Sequence, residues 1–292
     1  MREGLIWGTG KVFNDTISAI MYHERRGNFK IKSVTSNDPD NYYIYNYNRV
    51  SKDNINTDNY DFVIIMAEDE KFRNIKTEAL KIGFKEEQLI MSRVIKHPLF
   101  DIEKYLDILK SKPTIFANMC FGGYLYHNMC LEFTSPLINM YFHDNDYIKF
   151  LKSPEYYLEQ ELKFHEWKYN NDLKIDFPVA SCADILINFN HNNDFEVVKS
   201  DWERRKKRIN RNNIIYMMHT NNPEIEEQFN NLPYKKKICF VPYETNKKYS
   251  LYVDVKDEKR TFARIINRIA DGTFVYYNPF DLLLTGVAKK IV

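Results

Sequence analysis

Consecutive apolar residues in Asp61-Phe-Val-Ile-Ile-Met-Ala67 leave a strand there no polar face. Such a strand is stable where helices cover both sides of a parallel sheet, so the run points to an α/β fold. The flanking sequence fits. A helical pattern over 70–82 ends at Gly83, and Gln88-Leu-Ile-Met91 supplies the next strand of a β-α-β repeat.

Upstream, an apolar strand feeds the turn Gly8-Thr9-Gly10, followed by an amphipathic segment over 11–23 and a second strand over 29–35. This is the first half of a dinucleotide-binding pattern, with the third glycine absent and Phe13 in the helix. Gly8 and Gly10 are the expected cofactor-binding residues. Asp38 follows the second strand, where a ribose hydroxyl would be held. The ligand expected at this turn is a nucleotide or nucleotide-sugar, and a purely structural turn is the alternative. Residues 1–96 therefore read as a Rossmann-like unit, residues 97–112 as a connecting helix and residues 113–292 as a larger three-layer α/β/α domain. The first third resembles the Rossmann-like modules at the front of bacterial capsule and surface-sugar proteins.

The second domain opens on Thr114-Ile-Phe-Ala-Asn-Met-Cys-Phe-Gly-Gly-Tyr-Leu-Tyr126, a short strand that turns directly into a helix. Corners of this kind carry polar groups to the C-terminal edge of a sheet, where α/β folds place their sites. Asn118 and Cys120 are the side chains delivered there, and the backbone at Gly122 and Gly123 can face an oxyanion. A second strand over 184–189 would deliver His191 to the same edge if both strands run parallel in one sheet. Cys120, with His191 as its base and Asp184 as a distant orienter, would then form an acyl-transfer arrangement. A buried, inert thiol and a strand-end histidine bonded to a carbonyl are the alternative.

Ser135-Pro136 leads into an expected strand ending at His143, Asp144 and Asp146, a base or metal-ligand cluster or else a solvated turn. One or two helices are expected over 146–164. Over 194–210 a helix places Phe195, Val198, Trp202 and Ile209 on one face. Arg205 lies at the margin of that face, and Arg205 and Arg208 are the expected anion contacts. Strands over 213–219 and 237–241 with a helix over 223–232 between them extend the α/β rhythm. The tail reads as a strand over 250–255, a helix over 258–269 and a strand over 272–280.

A net charge of +2 over 292 residues gives no global attraction to nucleic acid. The 4 cysteines form no paired motif, so neither a metal site nor a disulfide framework is expected. No apolar segment approaches the roughly 20 residues needed to span a bilayer, and no signal-peptide core follows Met1, so a cytoplasmic protein is expected. The sequence leaves the oligomeric state open.

Taken in order, Asn118-Met-Cys-Phe-Gly-Gly123, Ser135-Pro136, Phe177-Pro-Val179, Asp184-Ile185, His191, Trp202-Glu-Arg-Arg205 and Arg208-Ile-Asn210 resemble one bacterial family of unknown function. It is associated with exopolysaccharide biosynthesis, and the likeness covers roughly residues 113–241. Phe121 and Asn192 depart from it, standing where that pattern often has Trp and Tyr. The resemblance implies work on surface-polysaccharide precursors, with a small sugar or nucleotide-sugar as ligand. The expected activity is a transferase or hydrolase acting on an activated sugar or sugar-linked acyl group. A non-catalytic binding module is the first alternative. A glycosyltransferase using Asp144 and Asp146 is the second.

Overall fold

The computed structural model describes residues 1–37, 45–254 and 261–291. The chain is a mixed α/β protein divided into two compact units, Met1–Ser111 and Lys112–Val292.

The first unit is built in the order β1 (Glu3–Trp7), α1 (Lys11–Asn14), α2 (Ile17–Arg25), β2 (Lys30–Thr35), β3 (Asn48–Arg49), β4 (Phe62–Ile65), α3 (Asp69–Lys81), β5 (Leu89–Met91), α4 (Ser92–Ile95) and α5 (Ile102–Ser111). Its five strands lie in the order β3-β2-β1-β4-β5, all parallel. Phe62, Val63, Ile64 and Ile65 are fully buried, as a strand without a polar face requires. The order reverses between β1 and β4. A crevice opens beyond the strands' carboxyl ends at such a reversal. The Gly8–Gly10 turn sits there, and Gly8 takes φ +110°, a backbone conformation that glycine adopts without cost. Asp38 lies outside the described residues.

The second unit continues with β6 (Thr114–Ala117), α6 (Phe121–Asn128), α7 (Asp144–Lys152), α8 (Pro154–Glu159), β7 (Lys163–Asn170), β8 (Ile175–Cys182), β9 (Ile185–Asn188), α9 (Phe195–Lys206), β10 (Ile214–His219), α10 (Pro223–Asn230), β11 (Lys237–Val241), β12 (Ser250–Tyr252), α11 (Phe262–Ala270) and α12 (Pro279–Thr285). Four parallel strands form one sheet in the order β12-β11-β10-β6. A separate antiparallel sheet has the order β7-β8-β9. The strand carrying the chain to His191 is therefore not a parallel neighbour of β6. It belongs to the antiparallel sheet, and a backbone bridge between Tyr141 and Asn188 ties its end to the segment after α6.

Two other expected strands are absent. The chain after Ser135-Pro136 is irregular apart from the bridge at Tyr141, and the segment over 272–280 turns into α12 at Pro279. Asn278 caps that helix through its side chain, accepting from Phe280 N and Asp281 N, and Pro279 suits its first turn because its missing N–H would be unpaired there anyway. The expected face of α9 does pack inward: Val198 and Trp202 are buried, Ile209 beyond its end is buried too, and Phe195 packs at the margin of the core. Asp194 caps that helix, its Oδ1 accepting from Glu196 N at 2.8 Å.

Candidate active site

Cys120 stands at the N-cap of α6, immediately past the end of β6. Its place is fixed from below. Asn118 Nδ2 donates to the His219 carbonyl at 2.9 Å, and Asn118 Oδ1 accepts from His219 N and from its ring Nδ1, each at 3.1 Å. These bonds lock the carboxyl ends of β6 and β10 together. Asn118 is buried and its side chain makes these bonds to His219, so it positions the corner and is not among the residues that line the cavity.

Gly122 is also structural. A Cβ there would lie 2.9 Å from the Ala117 Cβ and 3.4 Å from Ile115 Cγ2, so glycine lets the first turn of α6 close onto its own strand. Gly123 faces the other way, into a cavity of about 300 Å³. Cys120, Gly123, Tyr124, His127, Phe133, Ile138, Asn139 and His191 line it.

Within the cavity Cys120 Sγ and His191 Nε2 are 3.1 Å apart. The thiol also lies 3.8 Å from the Met140 carbonyl oxygen. Burial pushes the Cys120 thiol up to about 11, and desolvation holds the His191 imidazole below its ordinary value. The resting pair is thus a neutral thiol donating to a neutral imidazole. The first-turn N–H groups of α6, the helix that Cys120 caps, have no acceptor within the helix. Among the described residues no carboxylate bonds the other ring nitrogen of His191.

Asp184 in particular is not its orienter. It precedes β9, whereas His191 follows it, and its exposed carboxylate accepts from Lys149 Nζ and the Tyr157 hydroxyl, both at 2.9 Å. Arg205 and Arg208 are each paired with a carboxylate. Arg205 pairs with Asp201 at 2.9 Å and reaches the Ile138 carbonyl at 3.5 Å, while Arg208 pairs with Glu132 at 3.3 Å. Both guanidinium groups brace the segment that forms one wall of the cavity. Asp144 and Asp146 occupy the first turn of α7, and the Asp144 carboxylate accepts from Thr220 at 2.6 Å, so this pair serves a helix start.

Tyr124 and His127 line the cavity although no motif in the sequence marks them. Counting from Cys120 they fall at i+4 and i+7, with Gly123 at i+3, so one face of a helix beginning at Cys120 carries them all. That spacing was the available signal.

A family model described as "Domain of unknown function (DUF1919)" matches residues 90–283, and one described as "C2185-like, N-terminal" matches residues 1–90. A protein of Haemophilus influenzae described as an uncharacterised protein is 26% identical over 201 residues, covering 66% of this chain and 94% of that protein.

Proposed function

We propose, for a chain that belongs to the family of the domain of unknown function DUF1919, a cysteine-dependent acyl transfer or hydrolysis on a sugar-linked ester, carried out in the cytoplasm during surface-polysaccharide synthesis. The observation that carries this reading is the 3.1 Å contact between Cys120 Sγ and His191 Nε2 at the wall of a cavity. A nucleophile within hydrogen-bond reach of a base is the minimum requirement for acyl transfer. The assignment to sugar esters rests on the family resemblance in the sequence.

The steps follow from the pair. As Sγ attacks the ester carbonyl carbon, the thiol proton passes to His191 Nε2. The oxyanion that forms is met by first-turn N–H groups of α6. On collapse the C–O bond breaks, and His191 returns its proton to the departing sugar hydroxyl, leaving a thioester on Cys120. Water or an acceptor hydroxyl, deprotonated by His191, then attacks the thioester carbonyl; the C–S bond breaks and His191 returns the proton to Cys120 Sγ. Tyr124 and His127 line the same wall and can meet hydroxyls of the sugar. A non-catalytic binding module has no need of a thiol held against an imidazole, so the geometry favours the enzyme.

The pH profile tests this directly. Attack needs neutral His191, whose value lies below 6.5, so kcat/KM for p-nitrophenyl acetate should fall tenfold per unit on an acid limb beginning below pH 6.5. With the thiol at about 11, no second ionisation should appear between pH 7 and 9. A rate that climbs with a midpoint near the ordinary thiol value of about 8.5 would instead make free thiolate the reactive form and remove His191 as base.

A further inference from the structure

The first unit has a crevice of its own that the acyl-transfer chemistry does not use. It lies at the β1/β4 reversal, has a volume of about 570 Å³, and is lined at its floor by Trp7, Met66, Ala67 and Ile75. Ser36 and Asn37 also line it and are shared with a second cavity of about 480 Å³ that runs on towards Arg49 and Lys52. Asn37 is held in place by accepting from Trp7 Nε1 at 3.3 Å.

The two glycines of the turn differ in what they explain. Gly8 is required by the fold, since its φ is +110° and a Cβ there would sit 3.2 Å from the Met66 Cβ. Gly10 is not. Its φ of −82° suits any residue, and among the described residues a Cβ placed on it would meet nothing within 4 Å. Glycine at this position keeps open a space on the cavity wall that no atom of the described residues fills. Beside it Lys11 and Lys71 line the crevice together with Glu68, and among the described residues neither lysine takes part in an ion pair. An apolar floor, two amide or hydroxyl side chains at the end of β2, an unfilled cradle and two unengaged ammonium groups match three parts of one ligand: a base, a ribose and a diphosphate.

We infer that the crevice around Gly10 in the first unit binds a nucleoside diphosphate. The diphosphate lies against Gly10 between Lys11 and Lys71, and the base rests on the Met66–Ala67 floor. This site stands independently of Cys120 and His191, because every residue that forms it lies in the first unit.

Calorimetric titration of the full chain with ADP and with UDP tests the inference without any turnover. At least one should bind with a stoichiometry of one. Gly10→Val should weaken that binding tenfold or more while leaving the unliganded melting temperature unchanged, because the backbone at Gly10 accepts a side chain and the space is open. Lys11→Ala combined with Lys71→Ala should weaken it too and flatten its salt dependence. Binding of neither nucleotide to the wild type would overturn the inference, as would equal binding by wild type and Gly10→Val.

Discussion

Replacing Cys120 with alanine should abolish ester turnover, lowering kcat by about 10³-fold or more, and His191→Ala should cost about 10²- to 10⁴-fold. Both follow from the 3.1 Å contact, in which neither group is effective without the other. Burial keeps the Cys120 thiol protonated, so it becomes a nucleophile only while a base takes its proton. The losses should not add: the double variant should be no slower than Cys120→Ala, because removing the nucleophile already removes the step that His191 serves. The fold should survive. Cys120 is half-buried and its thiol makes only weak hydrogen bonds, so its loss costs no more than about 1 kcal/mol. Steady-state rates of the three variants, with melting curves beside them, separate chemistry from stability. A Cys120→Ala protein that hydrolyses p-nitrophenyl acetate at the wild-type rate would take the thiol out of the mechanism.

The second large effect concerns acid. Burial holds His219 at about 4, well under its ordinary 6.5, and its Nδ1–H is committed to Asn118 Oδ1. The fold therefore keeps it neutral where the unfolded chain would be protonated. The stability this gives is complete above pH 6.5 and is lost as pH falls from 6.5 to 4, in all roughly 3 kcal/mol. Urea unfolding between these limits should show the decline. His219→Leu should lower stability at pH 7, since Asn118 loses a partner, yet reduce the slope between pH 6.5 and 4. An unchanged slope in that variant would mean that His219 is not the group being charged. The effect bears on the site as well, because the His219–Asn118 bonds hold the strand end from which Cys120 projects.

Much of this was legible in the sequence, and the failures have physical causes. The run at 62–65 declared its parallel sheet because a strand buried on both faces has to be apolar at every position. Cys120 and His191 were legible as strand-end residues, but the route that joins them was not. Periodicity shows that a strand exists and is silent about which sheet receives it. Here β9 pairs with β8 in an antiparallel sheet and brings His191 to Cys120 from outside the parallel one. The strand β7 was missed for a different reason. Lys163-Phe-His-Glu-Trp-Lys-Tyr-Asn170 is exposed along nearly its whole length, so its charged and aromatic residues are not sorted by burial. Asp184, Arg205 and Arg208 were read as functional from residue type alone. Their charges are spent on neighbours such as Lys149, Asp201 and Glu132, which are distant enough in sequence or ambiguous enough in spacing to escape a linear reading.

The mass of the intact protein, quenched within the first turnovers with p-nitrophenyl acetate, tests the central claim most directly. The expected result is a single added acetyl group that maps to Cys120 and fails to accumulate in His191→Ala over the same interval. Cys120 left unmodified while ester is consumed, or an equal acetyl load on the Cys120→Ala protein, would contradict a covalent mechanism at this residue.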